Sequence, residues 1–184
     1  MDLLERLQLQ LTRTMDDPRP IVLMTCGIAG SGKSTLSKAI IAKYPDFERL
    51  SNDNILHANH GLCGTDYLLE KYDEYLDEAD LESRRRLVEL LDKGEKSIVL
   101  DRSLYSREDR NYFKEVVESK GARWILVFFR PASKELIWKR IQKRRENGIN
   151  ADSALGISRE LLDRYWDGFE NPEGEGEITV DVVE

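Results

Sequence analysis

Several things are scarce or missing in this sequence, and each absence removes a class of protein. Only two cysteines, Cys26 and Cys63, occur among 184 residues, so at most one disulfide is available and a cysteine-stapled fold is excluded. Cys26 ends an apolar run where a small soft side chain suits a buried strand, and both are read as reduced thiols. Long hydrophobic runs are absent too. The longest, Trp124 to Phe129, is far shorter than a bilayer-spanning helix requires, and the N-terminal "MDLLERLQLQ" is charged throughout rather than built like a secretory leader. A soluble, cytoplasmic protein with no membrane partner is expected. Positive charge is in deficit, with 28 Lys and Arg against 35 Asp and Glu and a net charge of −7. Such a balance counts against duplex nucleic acid as a partner but leaves open a short single-stranded end or a small metabolite.

What is present has a regular order. Leu3, Leu4, Leu7 and Leu11 stand at helical spacing, so residues 1–15 read as an amphipathic helix, closed off by Pro18 and Pro20. After that, short apolar runs alternate with longer helical segments. Strands are expected at Ile21 to Cys26 and near 47–50, 97–100, 123–129 and 177–182, with helices near 33–43, 66–93, 106–120, 133–146 and 158–168. Gly94 and Gly121 fall where helix ends accept positive φ. This alternation predicts one α/β domain over residues 1–184, its parallel sheet covered on both faces, with residues 1–19 as helix and linker and 20–183 as the core.

The stretch "TCGIAGSGKST" follows the first strand and opens the first long helix. It fits G-x-x-x-x-G-K-[ST] with Gly27, Gly32, Lys33 and Ser34. Glycines keep side chains away from an inward-facing ring of backbone N–H groups, and the helix beginning there adds its positive dipole end. Gly27, Ile28, Ala29, Gly30, Ser31, Gly32, Lys33, Ser34 and Thr35 are therefore read as the cradle of a nucleoside triphosphate. Lys33 would reach the β and γ oxygens, and Ser34 would give its hydroxyl to Mg²⁺.

The remaining residues narrow the chemistry. No N-K-x-D occurs, which counts against a GTPase. In "SIVLDRS", Asp101 closes an apolar strand and is placed to hold Mg²⁺ through water, but Arg102 follows it where an ATPase commonly has a water-activating carboxylate. A kinase needs no such carboxylate, because its nucleophile is a substrate hydroxyl. Asp53, twenty residues after Lys33 and just past the second strand, is the candidate general base, with capping of the next helix as its structural alternative. Arg140 and Arg144, four apart on the basic segment "KELIWKRIQKRR", are candidates to cover the transferring phosphoryl group as part of a lid at about 133–150.

With these residues the chain resembles the P-loop kinases related to the bacteriophage polynucleotide 5′-hydroxyl kinase domain, together with zeta-toxin-like and gluconate-kinase-like relatives, over roughly residues 20–183. The resemblance implies a three-layer α/β/α P-loop NTPase fold with strand order 2-3-1-4-5 and a helical lid. It carries the base role onto Asp53 and the lid role onto Arg140 and Arg144. It also implicates Asn171, Pro172, Glu173 and Gly174, in "FENPEGEGEITVDV", in holding adenine. Where the polynucleotide kinase has an arginine three residues after its base, this chain has Leu56, and Asn54 replaces a second aspartate. The phosphoryl-transfer half matches and the polynucleotide-reading half does not.

Other clusters are weighed on their residues. His57, His60 and Cys63 are close in sequence but lack a second ligand cluster, so they read as a loop beside the crevice rather than zinc ligands. Tyr67, Tyr72 and Tyr75 alternate with carboxylates, which favours core packing or a neutral or cationic acceptor over a phosphate backbone. Arg84, Arg85 and Arg86, on the same helix as Leu87, Leu90 and Leu91, read as a solvated turn of it. Arg102 is balanced between substrate contact and a structural ion pair. The expected function is Mg·ATP-dependent transfer of the γ-phosphoryl group to a hydroxyl of a small metabolite, a nucleoside or sugar, or a 5′-hydroxyl nucleic acid end. The alternative is an ATP-binding or ATP-hydrolysing switch without an acceptor.

Overall fold

The structure is a computed structural model that describes residues 3–146, 148–153 and 155–183. Met1 and Asp2 of the expected N-terminal helix and Asn147 of the expected lid lie outside the described residues, as do Ala154 and Glu184. Among the described residues, strands β1 (Ile21–Cys26), β2 (Phe47–Ser51), β3 (Ser97–Asp101), β4 (Arg123–Pro131) and β5 (Glu177–Val182) form one parallel sheet in the order β2-β3-β1-β4-β5. The helices are α1 (Leu3–Leu7), α2 (Lys33–Lys43), α3 (Asn52–His60), α4 (Tyr72–Lys93), α5 (Arg107–Ser119), α6 (Lys134–Glu146) and α7 (Arg159–Gly168).

The central strand shows why both faces are covered. All six residues of β1 are buried, and successive side chains point to opposite sides of the sheet. Val22, Met24 and Cys26 join Leu87 and Leu91 of α4 and Phe113 and Val117 of α5 in one core. Ile21 and Leu23 join Leu36 and Ile40 of α2, with Leu7 and Leu11, in the other. A strand buried on both faces cannot alternate apolar with polar, which accounts for the continuous run "IVLM".

Three local expectations need correction. The first helix ends at Leu7, and Leu11 is reached through a turn in which its N–H donates to the Leu7 carbonyl at 2.9 Å. Leu7 and Leu11 still bury, while Leu9 and Met15 stay in solvent. Residues 52–60 are helix rather than loop. Their composition, "NDNILHANH", is poor in helix formers, so tertiary burial of Ile55 and Leu56 decides the conformation, helped by the Ser51 side chain, which accepts from the Asn54 N–H at 3.4 Å. The fourth helix starts at Tyr72, after a 3-10 turn at Leu69–Lys71. Arg84, Arg85 and Arg86 lie inside it and pair one turn away with Asp80, Glu89 and Glu82.

Parallel strands send their carboxyl ends to one edge. The loop after β1, Asp53 after β2 and the Arg102–Leu104 turn after β3 therefore meet beside a common crevice.

Candidate active site

The loop between β1 and α2 is built from backbone geometry. Gly27, Gly30 and Gly32 sit at φ of +146°, +83° and +110°, a region that side chains resist. A Cβ on Gly27 would stand 3.0 Å from the Phe129 carbonyl oxygen, and one on Gly30 would stand 3.0 Å from Cγ1 of Ile141 in α6. The Gly27 N–H donates to the Ser103 carbonyl at 3.0 Å, which ties the start of the loop to the turn after β3. Gly32 precedes α2 with no side-chain cap, so no side chain satisfies the first-turn N–H groups. Among the described residues the Ser31 hydroxyl is buried without a hydrogen-bond partner. Lys33 donates from Nζ to the Ile28 carbonyl at 3.0 Å. Burial pulls its pKa down, against the opposing pull of the Asp101 and Asp53 carboxylates.

A cavity of about 540 Å³ gathers the rest. Its walls include residues 28–30 and 32–35 of the loop together with Asp53, Asp101, Arg102, Arg140 and Arg144. Every residue expected to act on the phosphoryl group or the metal thus faces one space, whereas Gly27 and Ser31 shape the loop from behind. Asp53 lies in the first turn of α3, but Ser51 does the capping, so the structural alternative for Asp53 falls away. Burial first, and then the neighbouring charges of Asp101 and Asp152, push its pKa up to about 6. Arg144 is half-buried, and among the described residues its Nε is enclosed with no hydrogen-bond partner. Burial lowers its pKa while Asp53 and Asp152 oppose the shift. Arg140 reaches the Val183 carbonyl at 3.4 Å. A cation enclosed without a partner is costly to the fold on its own and suits an anionic ligand.

Ion pairs beneath this cavity carry no signal in the sequence. Arg49 donates from Nε at 2.8 Å and from Nη2 at 2.6 Å to one oxygen of Asp101, and from Nη2 to Asp152 at 2.6 Å. Lys38 closes the chain onto Asp152 at 2.5 Å. Burial favours protonation of Asp152, but the bonds from Lys38 and Arg49 outweigh it and lower its pKa. Residues 151–153 are thereby fastened over α2 and β2. Arg102 is engaged by Asp80, and its guanidinium lies 4.7 Å from the Phe113 ring centroid, but it also lines the cavity and among the described residues its Nη1 is buried without a hydrogen-bond partner, so both an ion pair and a substrate contact fit it.

Two other expected contacts take different forms. On α3, His57 is exposed, and His60 stacks on Tyr75 of α4 at 3.6 Å with its Nε2 2.9 Å from Glu78 of α4. Asn171 lines a smaller cavity of about 110 Å³ with Ile28, Phe128, Phe129, Trp166 and Phe169, next to the loop. Pro172, Glu173 and Gly174 line neither cavity. Their segment is anchored by Arg110, fully buried, which grips both Glu175 oxygens at 2.8 Å and donates to the Glu170 carbonyl at 2.8 Å. The Arg110 bonds hold the Glu175 pKa down to about 2.

The sheet order, the glycine loop and the two-sided helical cover define an α/β protein with a P-loop NTPase-like fold. The chain belongs to the AAA domain family, whose model matches residues 22–172. Among solved structures it is similar to a provisionally assigned kinase from Chloroflexus aurantiacus, with a TM-score of 0.69 and 18% identity over 89% of this chain and 85% of that one. The Mycobacterium tuberculosis APS kinase CysC, in complex with AMPPNP and APS, matches with a TM-score of 0.55 and 19% identity over 89% of each chain. A chain of the Pnkp1/Rnl/Hen1 RNA repair complex matches with a TM-score of 0.59 and 22% identity over 83% of this chain and 47% of that one. Among the described residues no helix is long and apolar enough to cross a membrane.

Proposed function

We propose that the protein is an ATP-dependent kinase that transfers the γ-phosphoryl group to a hydroxyl acceptor. The observation that carries this reading is the convergence of the glycine loop, Asp53 and the unpartnered Arg144 on one cavity. The loop N–H groups and Lys33 would bind the triphosphate. Asp53 would accept the acceptor's proton as its oxygen bonds to the γ-phosphorus and the bond to the β,γ-bridging oxygen breaks, releasing ADP. Arg140 and Arg144, on the lid helix α6, would balance charge on the equatorial oxygens. Positioning and electrostatics then account for most of the acceleration.

The donor set also suits magnesium, a cation that takes oxygen ligands. Ser34 and Asp101 place a hydroxyl and a carboxylate on the same cavity, so these two would hold it, and when bound it supplies counter-charge to the phosphates. Asn171, beside the aromatic cavity, is assigned to the nucleobase, with Pro172 to Gly174 shaping its loop. Residues 1–184 are read as one domain that works in the cytoplasm.

The test is a screen with labelled ATP against nucleosides, sugars, aminoglycosides and 5′-hydroxyl oligonucleotides, alongside calorimetry with Mg·ATP. Transfer to any of these supports the kinase. Tight ATP binding with transfer to none favours a nucleotide-dependent switch.

A further inference from the structure

Arg110 carries a charge, yet none of its surface reaches solvent. It lines neither cavity, so any part it plays at the site runs through the groups it holds. All three guanidinium nitrogens are engaged. Nη1 donates to the Leu104 carbonyl at 3.0 Å and to the Glu170 carbonyl at 2.8 Å, while Nε and Nη2 each take one Glu175 oxygen at 2.8 Å. Residues 170–175 therefore close on the guanidinium from one side and the turn after β3 from the other.

Each of these stretches leads to one half of the proposed nucleotide site. The turn after β3 is stitched to three consecutive residues where β1 enters the glycine loop. The Thr25 hydroxyl donates to the Arg102 carbonyl at 2.9 Å and accepts from the Arg102 N–H at 3.0 Å. The Cys26 thiol donates to the Leu104 carbonyl at 3.5 Å, and the Gly27 N–H donates to the Ser103 carbonyl at 3.0 Å. Residues 170–175 carry Asn171, which lines the smaller, aromatic cavity. Leu104 itself sits at φ of +45°, and among the described residues no other non-glycine has a positive φ. Strained backbone of this kind persists only where its surroundings fix it, and the Leu104 carbonyl is one of the atoms that Arg110 grips. A planar fork sets the direction and the distance of its partners together, which a lysine ammonium does not. Stability alone accounts poorly for such a residue, because a buried ion pair adds little over well-packed apolar side chains.

Resting on the nucleotide-binding part of the kinase reading, we infer that Arg110 is a positioning residue for the nucleotide. It sets the distance between the glycine loop and the 170–175 segment, so that a triphosphate at the first and a base at the second belong to one ligand. The phosphate and base contacts are made by other groups, and Arg110 determines whether both are made at once.

The experiment measures Kd for Mg·ATP and for magnesium tripolyphosphate, which has the phosphates but no base, by displacement of a fluorescent ATP analogue. The parent, Arg110→Lys and Glu175→Gln are compared, and the quantity read is the ratio of the two constants. Partial unfolding weakens both ligands by the same factor, so a merely structural role leaves the ratio unmoved. Arg110→Lys should lower the preference for ATP over tripolyphosphate about tenfold, and Glu175→Gln, which keeps the shape and removes the charge, about threefold. An unchanged ratio in Arg110→Lys overturns the inference, while Mg·ATP binding by the parent keeps the nucleotide reading standing. If Arg110→Lys does not fold, the Glu175→Gln ratio decides in the same way. A parent with no preference for ATP over tripolyphosphate also overturns the inference, and a parent that binds no Mg·ATP overturns both.

Discussion

The two ends of the main cavity are made in different ways. On the proposed reading the phosphate end comes from one stretch of chain, residues 27–35, and would work through main-chain N–H groups, with Lys33 and two arginines brought in from α6. The rest of the lining is assembled from α3, α4, α5, α7 and the turn after β3, and it is made of side chains, among them three tyrosines and several carboxylates. One end is suited to a ligand of fixed chemistry and the other to one that varies between proteins. Main-chain geometry is hard to retune by substitution, whereas side chains on five separate elements can be changed singly.

The largest expected effect falls where the two ends meet. Asp53→Asn should lower kcat by about 10²–10⁴ while ATP affinity stays nearly constant. A variant with full turnover would move the base elsewhere and leave only the phosphate end explained. Next comes Arg110→Ala, which touches neither end directly but removes both 2.8 Å bonds to the buried Glu175 and leaves it only Arg107 and Lys114. A loss of about 3–5 kcal/mol in urea unfolding is expected. A near-neutral result would mean that the 170–176 loop is held by other contacts.

Arg144→Ala should reduce kcat by about 10²-fold, more than it weakens ATP binding, if the arginine acts on the transition state. Equal losses would make it part of the ground-state cradle. The smallest effect concerns stability. The Asp53 pKa is raised in the fold, so its favourable contribution is complete below its unfolded value near 4 and is lost as pH rises through about 6. Asp53→Asn should therefore be more stable than the parent by about 1–3 kcal/mol at pH 7.5, with the gap closing below pH 4. For the same reason kcat/KM of the parent should climb with pH up to about 6 and then level off. A flat profile between pH 5 and 8 would separate Asp53 from the chemistry.

Much of the fold was legible because its signals are local. Continuous apolar runs marked the strands buried on both faces, and Gly94 and Gly121 marked helix ends at φ of +66° and +69°. The helix at 52–60 was not legible, since no local preference specifies it and only the burial of Ile55 and Leu56 does. At the site, Lys33, Asp53, Asp101, Arg140 and Arg144 stood out by type and spacing. Arg49 and Asp152 did not, because an arginine inside a strand and an aspartate in an irregular segment carry no pattern until the chain brings them 2.6 Å apart.

By itself the sequence determined the glycine loop, the two-sided sheet and the residue types aimed at a phosphate, all of which follow from neighbours along the chain. Tertiary structure alone decided which charges remain available. Asp80 captured Arg102 and Arg49 captured Asp101, while among the described residues Arg144 Nε was left without a hydrogen-bond partner. Pairing of charges depends on distances across the fold, and those distances exist only after the core has closed.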